Sequence, residues 1–177
     1  MKSSFYFFAI YVFLFCSCAE PKVRRPKQHS TTSFYKEVID QNKKLNALEK
    51  QKIENLLSKD TLNTYYSSPN GFWYTYNQKD STNVNKSPVS GDLITISFDI
   101  KDITNNVLYE NRTVDYKVDK EDFIPALQEG VKLMKEGEQV TFVIPSYRAF
   151  GVTGDGNKIG INQTIKSTLT LQKIKEE

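Results

Sequence analysis

Residues 123–138 read FIPALQEGVKLMKEGE. Pro125 suits the first turn of a helix, where its missing N–H is not needed and its fixed φ is already helical. Leu127, Val131 and Met134 follow at i, i+4 and i+7 on one apolar face, and Gly137 is placed to end the segment. The spacing predicts one short helix, and it lies among segments of a different period. Upstream, Ile94, Ile96, Phe98 and Ile100 alternate with Thr95, Ser97 and Asp99; downstream, Val140, Phe142 and Ile144 repeat the pattern, as do Ile165, Leu169 and Leu171. A period of two with one apolar and one wet face describes half-buried antiparallel strands. The aromatic run Phe72-Trp73-Tyr74-Thr75-Tyr76 adds another strand after the turn-rich SSPNG at 67–71. NQKDSTNVNKSPVSGD then reads as a loop. Several antiparallel strands around one core helix make an α+β domain, here over residues 68–177.

Towards the N-terminus the period changes to that of a second, separate helix over residues 34–60. Phe34, Val38, Leu45, Leu48, Ile53 and Leu56 fall within one broad stripe, with Lys, Glu, Asp and Asn on the other side. The stripe lacks the strict repeat of a long coiled coil, so two roles stay open: docking on the chain's own domain, and pairing with a second copy as a homodimer. Residues 19–33 carry prolines, basic residues and Ser/Thr without apolar periodicity, the composition of a flexible tether.

The extreme N-terminus reads as an address. Lys2 precedes an apolar and aromatic run from Phe5 to Phe15, followed by small residues at Cys16, Ser17, Cys18 and Ala19. The run is short for a membrane span, which needs ~20 residues. Two readings fit: a leader cleaved to give a soluble product, and, more specifically, a lipobox in which cleavage before a cysteine exposes a thiol that takes up diacylglycerol. Ser17 precedes Cys18, whereas bulky Phe15 precedes Cys16, so Cys18 is the candidate for lipidation. Phe15 also stands three positions before Cys18, where lipoboxes usually carry Leu. The expectation is a lipoprotein signal peptide at 1–17 and a lipidated cysteine with its tether at 18–33. The lipid would hold the protein on a membrane of the cell envelope, facing the periplasm.

Composition narrows the chemistry. The 177 residues are 38% apolar and 25% charged, enough for one core plus accessory segments. The 24 basic and 21 acidic residues are mixed along the chain for a net charge of +3, so no basic face exists to neutralise phosphates and nucleic acid is not an expected partner. Cys16 and Cys18 are the two cysteines and His29 is the single histidine, which leaves no thiol beyond residue 18. That excludes an intrachain disulfide in the domain, a Cys- or His-ligated metal centre and a His-based triad. Asn111-Arg112-Thr113 and Asn162-Gln163-Thr164 match the glycosylation pattern and read better as surface turns. Gly154-Asp155-Gly156-Asn157 lacks the further carboxylates of a Ca²⁺ loop and reads as a flexible flap.

Four blocks then occur in order: Gly91-Asp92 opening the strand that ends at Phe98; Tyr109-Glu110; residues 123–138; and Phe142-Val143-Ile144-Pro145-Ser146 followed by Ala149-Phe150-Gly151, Gly154 and Ile159. In these blocks the chain resembles the FKBP family of peptidyl-prolyl cis-trans isomerases. With its leader, tether and preceding helix it also resembles the gliding-motility-associated FKBP lipoproteins of Bacteroidetes. The resemblance implies an FKBP-like twisted antiparallel sheet wrapped on one short helix, with isomerase activity on proline-containing polypeptides that assists folding of exported or envelope proteins. It implies no cofactor. It places Tyr109, Glu110, Ile124 and Phe150 in catalytic positions, with Phe98, Phe123, Leu127, Ile159 and Ser167 binding substrate. The Ile124 N–H would hold the carbonyl beyond the proline, and Glu110 would stand near the imide carbonyl where the family has aspartate. Four positions depart from the family pattern: Leu127 for tryptophan, Phe98 and Phe150 for tyrosine, and Ser167 for phenylalanine. Loss of the hydroxyl at Phe150 removes one hydrogen bond to the ligand, so reduced turnover is expected. The alternative is a catalytically weak chaperone or binding module of an envelope complex that keeps the fold and pocket.

Overall fold

The computed structural model describes residues 31–80 and 86–175. The signal peptide, Cys18 and the tether as far as residue 30 lie outside the described residues. The chain divides into two units, Met1–Val38 and Ile39–Glu177. In the first, Phe34 and Tyr35 near the start of helix α1 (Thr31–Leu57) sit edge to face with ring centroids 6.1 Å apart, both exposed. The helix begins at Thr31, inside the segment read as tether.

The second unit holds the rest of α1 and one six-stranded sheet. Its strands are β1 (Tyr66–Ser67), β2 (Trp73–Gln78), β3 (Leu93–Asp102), β4 (Val107–Lys117), β5 (Gln139–Ile144) and β6 (Ile165–Lys175). Every pairing is antiparallel, in the order β1-β2-β5-β6-β3-β4. The α+β class expected from the alternating strands and the single core helix is the class observed. Strand β4 carries no clean alternation because Glu110-Asn111-Arg112-Thr113 interrupts it, and its register against β3 shifts on both sides of Ile100.

Alternation along the strands sorts the side chains onto two faces. Ile94, Ile96, Phe98, Phe142, Ile144, Ile165, Leu169 and Leu171 build the inner face, and helix α2 (Pro125–Val131) lies against it. The helix stops earlier than Gly137. It buries Ala126, Leu127, Gly130 and Val131, and Met134 completes the contact from the following turn. Gly137 takes φ +86° in the return to β5, and its N–H donates to the Leu171 carbonyl at 2.8 Å. Gly130 allows the helix to sit close: a Cβ there would lie 2.6 Å from the Phe142 ring.

The outer face is covered in part by α1. Ile53, 1% exposed, packs with Trp73 and Val143, flanked by Leu57, Tyr65 and Ile103. Of the six stripe positions in α1, Ile53 alone is buried, while Phe34, Val38, Leu45, Leu48 and Leu56 stay exposed. Polar contacts add to this apolar one. The Glu49 carboxylate accepts the Ser146 N–H and hydroxyl, both at 2.7 Å, and the Thr164 hydroxyl at 2.6 Å. The helix is thereby tied to the ends of β5 and β6.

Candidate functional site

A pocket of about 400 Å³ opens where four parts of the fold converge: the middle of β3, the neighbouring β4, the chain entering α2, and the turn after β5. Phe98 and Ile100 come from β3, Phe123, Ile124 and Pro125 from the start of α2, and Ala149 and Phe150 from the turn. Phe98 is 2% exposed and meets Phe123 edge on, centroids 5.1 Å apart at 83°. Phe123 in turn leans on Tyr116, centroids 5.0 Å apart. Each ring is fixed by another, so the apolar wall is formed before any ligand arrives.

Pro125 at the first helical position decides how Ile124 is presented. The residue before a proline is held extended, and Ile124 sits at φ −60°, ψ 122°. Its carbonyl accepts from Leu127 and Gln128 at 2.8 and 3.0 Å, while its N–H donates to no group among the described residues. A free backbone donor at the edge of an apolar pocket is where a carbonyl of an extended peptide can be held.

Phe150 reaches the pocket through a short turn. Ser146–Arg148 form one 3₁₀ turn, and the Ser146 carbonyl accepts the N–H of Ala149 at 2.9 Å and of Gly151 at 2.8 Å. The Glu49 clamp holds the same Ser146 from the α1 side.

The remaining sequence candidates stand around this pocket and do not line it. Leu127 is fully buried in α2, and Ile159, 3% exposed, belongs to the core. Ser167 is fully buried on the inner face of β6, and its hydroxyl donates to the Asp99 carbonyl at 2.7 Å. That carbonyl is free because Asp99 and Ile100 drop out of the β3–β6 ladder between Phe98↔Leu169 and Lys101↔Lys166, and the Asp99 carboxylate takes the Thr168 N–H at 2.8 Å. Glu110 is exposed within the irregular stretch of β4.

Tyr109 is half-buried, and its hydroxyl donates to the Asp155 carboxylate. This bond raises the phenol above its ordinary range, burial adding to it, and holds Asp155 below the usual carboxylate value. Asp155 also accepts the N–H groups of Asn157 and Ile159 at 2.9 and 2.8 Å, and Lys158 Nζ lies 5.2 Å from the centre of the Tyr109 ring. The segment read as a flexible flap is thus pinned by one carboxylate, a role that its glycine-rich composition concealed. Gly154, at φ +66°, lies so close to the Ile159 carbonyl that a Cβ would come within 2.3 Å of it.

Two lining residues were missed from the sequence. Arg112 holds its guanidinium 5.0 Å from the centre of the Phe98 ring, and Asp122, just before Phe123 in the chain, also lines the pocket. Arg112 was hidden in a glycosylation-like triplet, and the polar interruption of β4 was its one signal.

Residues 84–172 match the family model for FKBP-type peptidyl-prolyl cis-trans isomerase. The chain belongs to the FKBP family. It is 34% identical over 93 residues to the "Probable FKBP-type peptidyl-prolyl cis-trans isomerase FkpA" of Neisseria meningitidis serogroup B, a match covering 50% of this chain and 34% of that relative. The chain therefore spans about a third of the curated relative's length. Two solved structures share the FKBP fold. A peptidyl-prolyl cis-trans isomerase from Pseudomonas syringae pv. tomato superposes with a TM-score of 0.60 at 13% identity, over 76% of this chain and 96% of that one. AtFKBP13 gives 0.56 at 16% identity, over 63% and 99%.

Proposed function

We propose that this FKBP domain is a peptidyl-prolyl cis-trans isomerase of modest turnover. The observation that carries the reading is the apolar pocket of Phe98, Phe123 and Phe150 with the unoccupied Ile124 N–H on its edge. An X–Pro bond isomerises in tens to hundreds of seconds unaided, because rotation breaks amide resonance. The twisted imide has less charge separation than the planar one, so a pocket that strips water from the proline favours the transition state. No covalent bond forms or breaks; the Ile124 donor orients the chain and the rings exclude solvent. Phe150 brings no hydroxyl to this surface, which supports modest turnover and keeps a second reading in view, a binding module that holds proline segments without turning them over.

The test is prolyl isomerisation by the purified chain in a protease-independent assay, with and without an FKBP-class macrolide inhibitor. Inhibitor-sensitive acceleration is expected, and a folded chain that gives none would move the claim to the binding module. Phe150→Tyr should raise turnover by up to about tenfold, the worth of one hydrogen bond, and an unchanged rate would sink that account.

The setting we propose is an envelope protein anchored by lipid on Cys18 and facing the periplasm, with exported or envelope proteins as clients and a link to gliding motility. The leader, the tether and the resemblance in the sequence support it. Exposure of Leu45, Leu48 and Leu56 on α1 supports a second copy as their cover. Sedimentation of a triple Leu→Gln variant at these positions, which spares Ile53 and Glu49, should then show a lower mass than the parent chain.

A further inference from the structure

The pocket carries two charges that the other described residues leave unpaired. The Arg112 guanidinium rests over the Phe98 ring at 5.0 Å and makes no hydrogen bond or ion pair with another described residue, which among these residues leaves its donors available to a ligand. The Asp122 carboxylate, on the same lining, is likewise without a hydrogen bond or ion pair among the described residues. Both border one pocket and are not paired with each other, whereas Asp115, further along β4, is engaged by Thr95 and Lys175 at 2.7 Å each. Their positions are ordered relative to the Ile124 N–H. Asp122 lies two residues before Ile124 on the segment that enters α2, while Arg112 comes from a different element, β4.

We propose that the site selects its substrate by charge: segments of the form acidic–Pro–basic, with the acidic side chain before the proline on Arg112 and the basic one after it on Asp122. The inference rests on the isomerase reading for its orientation, in which Ile124 takes the carbonyl beyond the proline. That places the following residue beside Asp122 and the preceding residue beside Arg112. Arg112 is held by the ring beneath it, so little freedom is lost when it meets a carboxylate, and its planar fork suits two oxygens. Exposed ion pairs of this kind shift an equilibrium by about two- to fivefold each, and salt screens them.

The experiment compares three blocked peptides on the full chain by NMR exchange: Ala-Glu-Pro-Lys, Ala-Lys-Pro-Glu and the neutral Ala-Leu-Pro-Ala. The first should exceed the second in kcat/KM by about fivefold at low salt, with the gap closing as salt rises. Arg112→Glu combined with Asp122→Lys should invert the order of the two charged peptides, and an order that stays as in the parent would overturn the selection. Acceleration of the neutral peptide with no difference between the charged pair would overturn the charge selection and leave the isomerase reading standing. If no peptide is accelerated, titration of the same peptides against ¹⁵N-labelled chain still decides: a retained preference for Glu-Pro-Lys supports selection in a binding module, and equal affinities overturn it.

Discussion

Glu49 is the residue on which α1 and the pocket meet, and its removal should be felt in both. Three hydrogen bonds of 2.6–2.7 Å converge on its carboxylate, from the Ser146 N–H, the Ser146 hydroxyl and the Thr164 hydroxyl. Bonds to a charged acceptor are worth about 1.5–3 kcal/mol each in isolation, but three on one group are not additive. Ser146 is 4% exposed, so truncation to alanine leaves a buried N–H and hydroxyl without their acceptor. A groove of about 330 Å³ beside Glu49, Ser146 and Thr164 lets water replace part of what is lost. We expect Glu49→Ala to lose about 2–3 kcal/mol in urea unfolding, a fall in Tm of about 5–10 °C for a chain of this size. Glu49→Gln keeps the shape and one acceptor oxygen, and should lose less. The Ser146 carbonyl organises the turn that carries Phe150, so ligand affinity should fall with stability. A Glu49→Ala chain within 0.5 kcal/mol of the parent would refute the clamp. One that is destabilised yet binds inhibitor with unchanged affinity would refute the link to Phe150.

Gly130→Ala sets helix propensity against packing. Alanine gains about 1 kcal/mol as a helix former, but its Cβ would lie 2.6 and 2.8 Å from atoms of a fully buried Phe142 ring backed by Phe72, so a net loss of about 1–3 kcal/mol is expected in urea unfolding. Equal or greater stability would show that Phe142 yields. For the Tyr109–Asp155 bond the sign follows from both groups. Asp155 is lowered from 3.8 in the fold, so its contribution is full above that value and is lost as pH falls through the lower folded value. Tyr109 is raised from 10.0, so its contribution is full below that value and is lost as pH rises through the higher folded one. The stability difference between the parent and Tyr109→Phe should therefore be flat across neutral pH and narrow at both extremes; a difference that changes between about pH 6 and 8 would point to another group.

What could be read from the sequence was whatever depends on near neighbours. Ile94, Ile96, Phe98 and Ile100 announce β3 because a strand with one buried face must alternate, and Pro125 announces α2 because it is at home only in a first turn. Strand β4 was illegible for the same reason. Its polar run Glu110–Thr113 coincides with the irregular register against β3, so no two-residue period survives there. The site divides similarly. Phe98, Phe123, Ile124 and Phe150 were named from the sequence and line one pocket. Arg112 and Asp122 were not, because their place on its rim depends on how β4 and the segment entering α2 are brought together. Glu49 and Asp155 act across separations of 97 and 46 residues, and nothing local marks either carboxylate as an anchor.

The four departures from the family pattern are not equivalent once placed. Leu127 and Ser167 are both fully buried and away from the pocket lining, and the Ser167 hydroxyl is satisfied by the Asp99 carbonyl at 2.7 Å. A satisfied buried hydroxyl does not wet the site, so these two changes act on packing beneath the pocket. Phe98 and Phe150 do reach its surface, and each lacks the hydroxyl that a tyrosine would bring. The polar groups left to orient a ligand are then the Ile124 N–H, Arg112 and Asp122. One backbone donor is indifferent to the client's sequence, so discrimination falls to the charged pair. It follows that restoring a hydroxyl at Phe150 should raise turnover on all proline peptides alike, while changes at Arg112 should alter the ranking among them.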